Sequence, residues 1–236
     1  MFVCDDRVIT SWKRDGPPGS LAGREGRYLV SLEAPMVMVS GDVADLDRRL
    51  LAGELVCSCG GRLSGWGHAR ARVVRGVGVL RPRRARCGVC RVTHVLLAVS
   101  CLLRRADGVD VIGAALRLKA AGQGHRPVAA RLGRSVSTVR GWLRAFAGNA
   151  EAVRVRFTAL LAELDPLFGP LPVYRSVFAD AVEAIGVAAA AARRRLGVVG
   201  AVSPWQLASA VSGGRLLAPA GPAAAINTSW PLGAAG

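Results

Sequence analysis

Two cysteine pairs, Cys57-Ser58-Cys59 and Cys87-Gly88-Val89-Cys90, constrain this chain more than any other feature of it. Four thiols in two close pairs suit a tetrahedral zinc site, because each pair can span one edge of the tetrahedron while a hairpin brings the pairs together. The second pair has the two-residue spacer of a metal knuckle, and Gly88 permits the tight turn that aims backbone N–H groups at sulfur. The first pair has one spacer residue, Ser58, and lacks that turn, so His68 and His94 are reserve ligands. The expectation is zinc held by Cys57, Cys59, Cys87 and Cys90; the competing reading is free buried thiols. Cys4 and Cys101 have no partner in sequence and read as small buried hydrophobes.

Between the pairs, HARARVVRG (68–76) and GVLRPRRARC (78–87) alternate small or apolar residues with arginine. That is the period of half-exposed strands, and the intervening GVG can turn the chain, so a hairpin is predicted between two knuckles. Eight arginines and no acid lie between the pairs. Residues 1–56 carry 7 basic and 9 acidic side chains, residues 57–148 carry 18 and 2, and residues 149–236 carry 7 and 5. The whole net charge of +16 therefore sits in the middle segment. Only Lys13 and Lys119 are lysines, and the Ala, Gly, Val and Arg-rich composition matches GC-rich codons, so the choice of Arg over Lys carries no weight. The position of the excess does, because a single-sign segment of this length is costly in self-repulsion unless it faces a polyanion such as nucleic acid.

Residues 108–148 change to the helical period. Val111, Ile112, Ala115 and Leu118 mark one apolar face and end at AAGQG; Val128, Ala129 and Leu132 mark a second and end at Gly133. Val139, Trp142, Leu143 and Phe146 mark a third behind the N-cap candidate Ser135. The stretch HRPVAARLGRSVSTVRGWLRAF (125–146) reads as a helix-turn-helix unit, with Ala129 at the crossing and Gly133 in the turn. The second helix of such a unit enters the major groove N-terminus first. Arg134, Val136, Ser137, Thr138, Arg140 and Arg144 are then the candidates for bases and phosphates, and Arg81, Arg83 and Arg84 of the hairpin are candidates for the DNA backbone. The alternative is a structural three-helix bundle with solvated arginines.

Elsewhere, DVADLDRRLLAG predicts a short helix from the cap candidate Asp42 to the stop Gly53, and VLLAVSCLL (95–103) a buried strand or short helix. EAVRVRFTALLAEL and SVFADAVEAIGVAAAAARRRLG read as helices on either side of the Pro-rich break DPLFGPLP, and the last forty residues as a Gly, Ala and Pro-rich loop or tail. The Ala-rich helix is a dimerisation candidate, so a homodimer is one expectation. The N-terminus shows no signal-peptide pattern and no apolar run reaches membrane-spanning length, which leads to the expectation of a cytoplasmic protein with no membrane partner.

From the cysteine pairs through RRARCGVCRVTHVLL to RPVAARLGRSVSTVRGWLRAF, the chain resembles the uncharacterised zinc-ribbon plus helix-turn-helix proteins associated with insertion elements of high-GC bacteria. Its layout is similar to the DNA-binding front end of DDE-type transposases. The resemblance covers roughly residues 42–148, and SPWQLASAVSGGRLLAP fits the same group. It implies a DNA-binding protein of mobile-element origin, with the shortened first knuckle as its departure.

A DDE-type catalytic domain would hold two metal ions with three carboxylates on an RNase-H-like sheet. After Gly148 the sequence offers Glu151, Glu163, Asp165, Asp180 and Glu183, mostly in helical or Ala-rich settings, and no phosphate-binding Gly loop or nucleophile elbow. The expectation is thus a non-enzymatic, sequence-specific double-stranded-DNA-binding protein of transposase-accessory or repressor type, with no small-molecule substrate. The alternatives are a zinc-ribbon adaptor for RNA or a protein partner, and an inactive truncated transposase. The predicted fold is mainly α, with a small β zinc-ribbon-like hairpin module and a three-helix, homeodomain-like helix-turn-helix unit in the centre. Its expected divisions are an N-terminal segment of unassigned role (1–41), the basic module with its leading helix (42–107), the DNA-binding domain (108–148) and a helical C-terminal region with a flexible tail (149–236).

Overall fold

The computed structural model describes residues 36–39, 43–172, 176–196 and 202–218. Cys4, Asp42 and most of the N-terminal segment lie outside them. Strand β1 (Met36–Val39) comes from the N-terminal segment, and the described part of the basic module begins with helix α1 (Val43–Leu51), whose Leu46 and Leu50 are buried. The helix stops at the expected place, with Gly53 at φ +68, where a side chain would be strained.

The predicted hairpin forms, in two nested parts. Its base pairs β2 (Leu63–His68) with β5 (Arg83–Cys87), and its tip pairs β3 (Arg72–Val74) with β4 (Gly78–Leu80) around the Gly76-Val77 turn. A register shift between Gly65 and His68 bends the base. Residues 93–98 settle as a strand, β6 (Thr93–Ala98), which pairs antiparallel with β5 and parallel with β1, giving the sheet order β1-β6-β5-β2. Alternation does what period two requires. Ala85 and Cys87 of β5 are buried with Leu63, Leu96 and Leu55, while Arg86 between them stays partly exposed.

The helical part is built on α2 (Val109–Ala120), α3 (His125–Leu132) and α4 (Val136–Ala147). Gly133 takes the left-handed conformation between α3 and α4, and the Ser135 hydroxyl accepts from the Thr138 N–H at 3.2 Å, as an N-cap should. Val139, Trp142, Leu143 and Phe146 are buried as predicted. On α2 the buried stripe is Val109, Ile112, Ala115 and Leu116, with Val111 and Leu118 only partly buried. The stripe turns because two further elements lean on this helix: the hairpin tip beside Val111 and a C-terminal tryptophan over Gly113.

Helix α5 (Ala150–Leu164) and the Ala-rich α6 (Val177–Leu196) run side by side in the same direction. At one end the Phe178 ring meets Phe146 edge-on at 4.8 Å; at the other, Arg195 donates to the carbonyls of Glu163 and Leu164 that end α5. The Pro-rich break is the return crossing between them. Ala181, Ala184, Ala188 and Ala191 are buried inside this chain, so the face that suggested a homodimer is already covered.

The C-terminal stretch departs from the expected loose tail. Residues 204–211 form α7 (Pro204–Val211), capped by Ser203, and Trp205, Ala208, Leu216 and Leu217 are buried. A Cβ on Gly113 would lie 2.1 Å from the Trp205 ring, so the indole sits directly on the α2 backbone. Ser203 and Gln206 hydrogen-bond to Asp110. One hydrophobic cluster consequently runs from Leu102 to Leu217 without a break at residue 148. Among the described residues, no helix is long and apolar enough to cross a membrane.

Candidate metal centre and nucleic-acid interface

Antiparallel pairing of β2 with β5 sets Leu63 opposite Cys87, which brings the loop before β2 against the loop after β5. All four sulfurs of Cys57, Cys59, Cys87 and Cys90 come within 4.8 Å of one another, with Cys59 and Cys87 at 3.4 Å and Cys57 and Cys90 at 3.6 Å. Zinc–sulfur bonds of about 2.3 Å in a tetrahedron require sulfurs about 3.8 Å apart, whereas a disulfide requires about 2.05 Å. The donor set fits a tetrathiolate metal ion, and four sulfurs leave no open coordination position. Neither histidine belongs to the cluster: His68 lies beside Arg83 and His94 is buried in β6.

The one-residue spacer is accommodated by glycine. Gly60 adopts φ +84 and its N–H donates to the Cys57 carbonyl, while the Cys57 N–H donates to Gly61. A Cβ on Gly61 would lie 2.5 Å from the Cys87 sulfur, so only glycine allows the two knuckles to close. The Gly61 N–H bonds to the Cys59 sulfur and, with its thiol neighbours, lowers that thiol to about 6. At Cys90 the Val92 N–H lowers the pKa, but desolvation and the other three sulfurs outweigh it and push the thiol up to about 12. Cys59 thus gives up its proton before Cys90, and a cation among the four sulfurs would favour thiolates.

The candidate DNA residues fall into two groups. Val136, Ser137, Arg140 and Arg144 are exposed on α4, and Thr138 is half-buried with its hydroxyl tied to Ser135. Arg81 is exposed near the middle of the hairpin, next to Arg70, because the Ala69 N–H donates to the Pro82 carbonyl at 2.7 Å. Two of the others are already engaged: Arg83 pairs with Asp47 of α1 at 2.6 Å, and Arg134 bonds to Asp107 and to the Leu132 and Gly133 carbonyls. Arg84 is half-buried.

Sequence reasoning missed Asp107. Its carboxylate is 2% exposed and accepts from Arg75 of the hairpin tip as well as from Arg134. Burial would raise its pKa, but the hydrogen bonds and charges of the two arginines prevail and hold it below the ordinary carboxylate value. A signal was available: within residues 57–148 the only acids are Asp107 and Asp110, and each makes a joint between elements. Also missed was Trp66, 53% exposed on β2, with the Arg86 guanidinium 4.7 Å from its ring centre.

Residues 109–154 match the homeodomain-like domain, a helix-turn-helix family, so such a domain is present and points to DNA binding. The match includes α2 to α4 and the first turn of α5. No curated protein and no solved structure matches the chain significantly.

Proposed function

We propose that this chain is a non-catalytic, sequence-specific double-stranded-DNA-binding protein of mobile-element type, acting as a transposase accessory or a repressor. The observation that carries the reading is the exposed, acid-free leading face of α4, with Val136, Ser137, Arg140 and Arg144, in a homeodomain-like domain beside an arginine hairpin. In this reading α4 lies in the major groove, and Arg70 and Arg81 meet phosphates. The four cysteines hold a structural zinc that keeps the hairpin base closed. The non-catalytic part of the reading rests on the sequence, in which Glu151, Glu163, Asp165, Asp180 and Glu183 follow α4 without the alternating β pattern that a DDE-type site would need. The mobile-element assignment rests on the resemblance in sequence, and a cytoplasmic protein at the nucleoid follows from it. A second reading, an adaptor for RNA, is favoured by Trp66 and Arg86, an exposed aromatic and cation of the kind that stack on unpaired bases.

Mobility shifts with duplex DNA, structured RNA and heparin competitor, each over a range of salt, test the choice. With about 6 phosphate contacts, log K for duplex should fall against log salt with a slope near −5, and Arg70→Ala with Arg81→Ala should flatten it by about 2. Tighter binding to RNA than to duplex would favour the adaptor. A slope near zero would remove the arginines from phosphate.

A further inference from the structure

The hairpin tip does not hang free of the helical domain. Arg75 donates through Nε and Nη2 to Asp107 at 2.9 and 2.5 Å, and Arg134, in the turn before α4, donates through Nε to the same carboxylate at 2.6 Å. The backbone secures the same joint. The Arg75 N–H donates to the Ala106 carbonyl at 2.8 Å and the Gly108 N–H to the Arg75 carbonyl at 2.9 Å. Two glycines make the approach close enough: a Cβ on Gly76 would come within 2.9 Å of Val111, and one on Gly108 within 2.7 Å of Val77.

This geometry matters because both partners are cationic. Hairpin and helix-turn-helix carry the positive excess of residues 57–148, so without a negative group between them their arginines would repel one another. Asp107 supplies that group where the tip meets the turn that leads into α4. Two DNA-contacting parts held rigidly need no further ordering when they bind, whereas parts on a loose linker lose freedom at that moment.

We propose that Asp107 is a positioning residue that, through Arg75 and Arg134, holds the arginine hairpin at one offset from α4. The phosphates met by the hairpin then lie a fixed number of base pairs from the bases read by the helix. The inference rests on the DNA-binding reading above and adds a spacing rule to it.

The test uses the full chain with its metal and a duplex site selected from random DNA. Methylation interference locates the bases read by α4, and phosphate-ethylation interference locates the hairpin. The unaltered protein should give one flanking set of phosphates at one offset. Arg75→Gln leaves the Arg134–Asp107 pair in place; it should keep the base interference, blur or erase the flanking set, and weaken binding on the order of 10-fold or more. Its zinc content and melting temperature should stay near those of the parent. Arg75→Lys, which keeps a cation for Asp107, should restore the flanking set, which a phosphate lost by simple unfolding would not explain. If Arg75→Gln kept the same flanking phosphates at the same offset, the positioning role would be overturned. If the unaltered chain showed no interference on any selected duplex, the DNA-binding reading would fall first, and the spacing rule with it.

Discussion

Around the cysteines, the buried cluster is made of five leucines, one alanine and two of the four thiols, with no aromatic side chain. The cluster from Leu102 to Leu217 contains Trp142, Phe146, Phe157 and Trp205 and draws on every helix from α2 to α7. The first cluster is small for the strands and helix it serves, and beside it four sulfurs lie within 4.8 Å of one another, so a metal ion there would add to its stability. The second has enough apolar area to fold unaided. One region should therefore depend on a ligand and the other on packing, within a single short chain.

Metal removal should give the largest effect. Protein purified without added zinc should contain about one zinc per chain, and Cys87→Ser or a strong chelator should release it. Structural zinc is worth about 10–16 kcal/mol in small domains, so hydrogen exchange should lose its protection across β2–β6 and keep it across α4–α6. Thiols that titrate freely in native protein, or protection unchanged after chelation, would return the hairpin's stability to its leucines.

Next in size is Trp142→Ala, which removes an indole from the packed side. A cost of about 3–5 kcal/mol should lower the melting temperature and abolish DNA binding while leaving the zinc content intact. Unfolding of the cysteine region in the same step, with loss of metal, would show that the two regions fold as one unit. The smallest effect is expected from the exposed Arg140. Its replacement by Ala should leave the melting temperature alone and cost about 1–3 kcal/mol on the preferred duplex, with much less lost on random duplex. Equal losses on both would assign Arg140 to phosphate; no loss on either would end the role of α4 in recognition.

What was legible in the sequence follows the same division. The hairpin alternates roughly, with breaks at Val73-Val74 and Arg83-Arg84, so its strands could be read but not its buried residues. The inner faces of α3 and α4, by contrast, keep helical spacing and could be read residue by residue. The cysteine spacing gave the cluster, but not the way Gly60 and Gly61 rescue a one-residue spacer, because that depends on a contact with Cys87 across the sheet. Arg83 and Arg134 looked free for DNA because their acids, Asp47 and Asp107, are distant in sequence. The segment after residue 202 was hidden by low-contrast composition. Ser203-Pro204-Trp205-Gln206 nevertheless carries a capping signal, with Ser at the N-cap, Pro at the first helical position and Gln three residues after the cap. What gives that helix its place is the notch at Gly113, which belongs to a different part of the chain.

That notch also has a consequence in time. Gly113 is made long before Trp205, and Leu102 long before Leu216 and Leu217, so during synthesis the back of the helix-turn-helix unit emerges bare. At about 5–20 residues per second, some seconds pass before the covering segment leaves the ribosome. Through that interval a strongly cationic nascent chain exposes an apolar groove on α2. A chain stopped just before Ser203 would keep α2 to α6 and every arginine of the hairpin, yet carry that groove permanently open, as a surface on which unfinished copies can stick to one another.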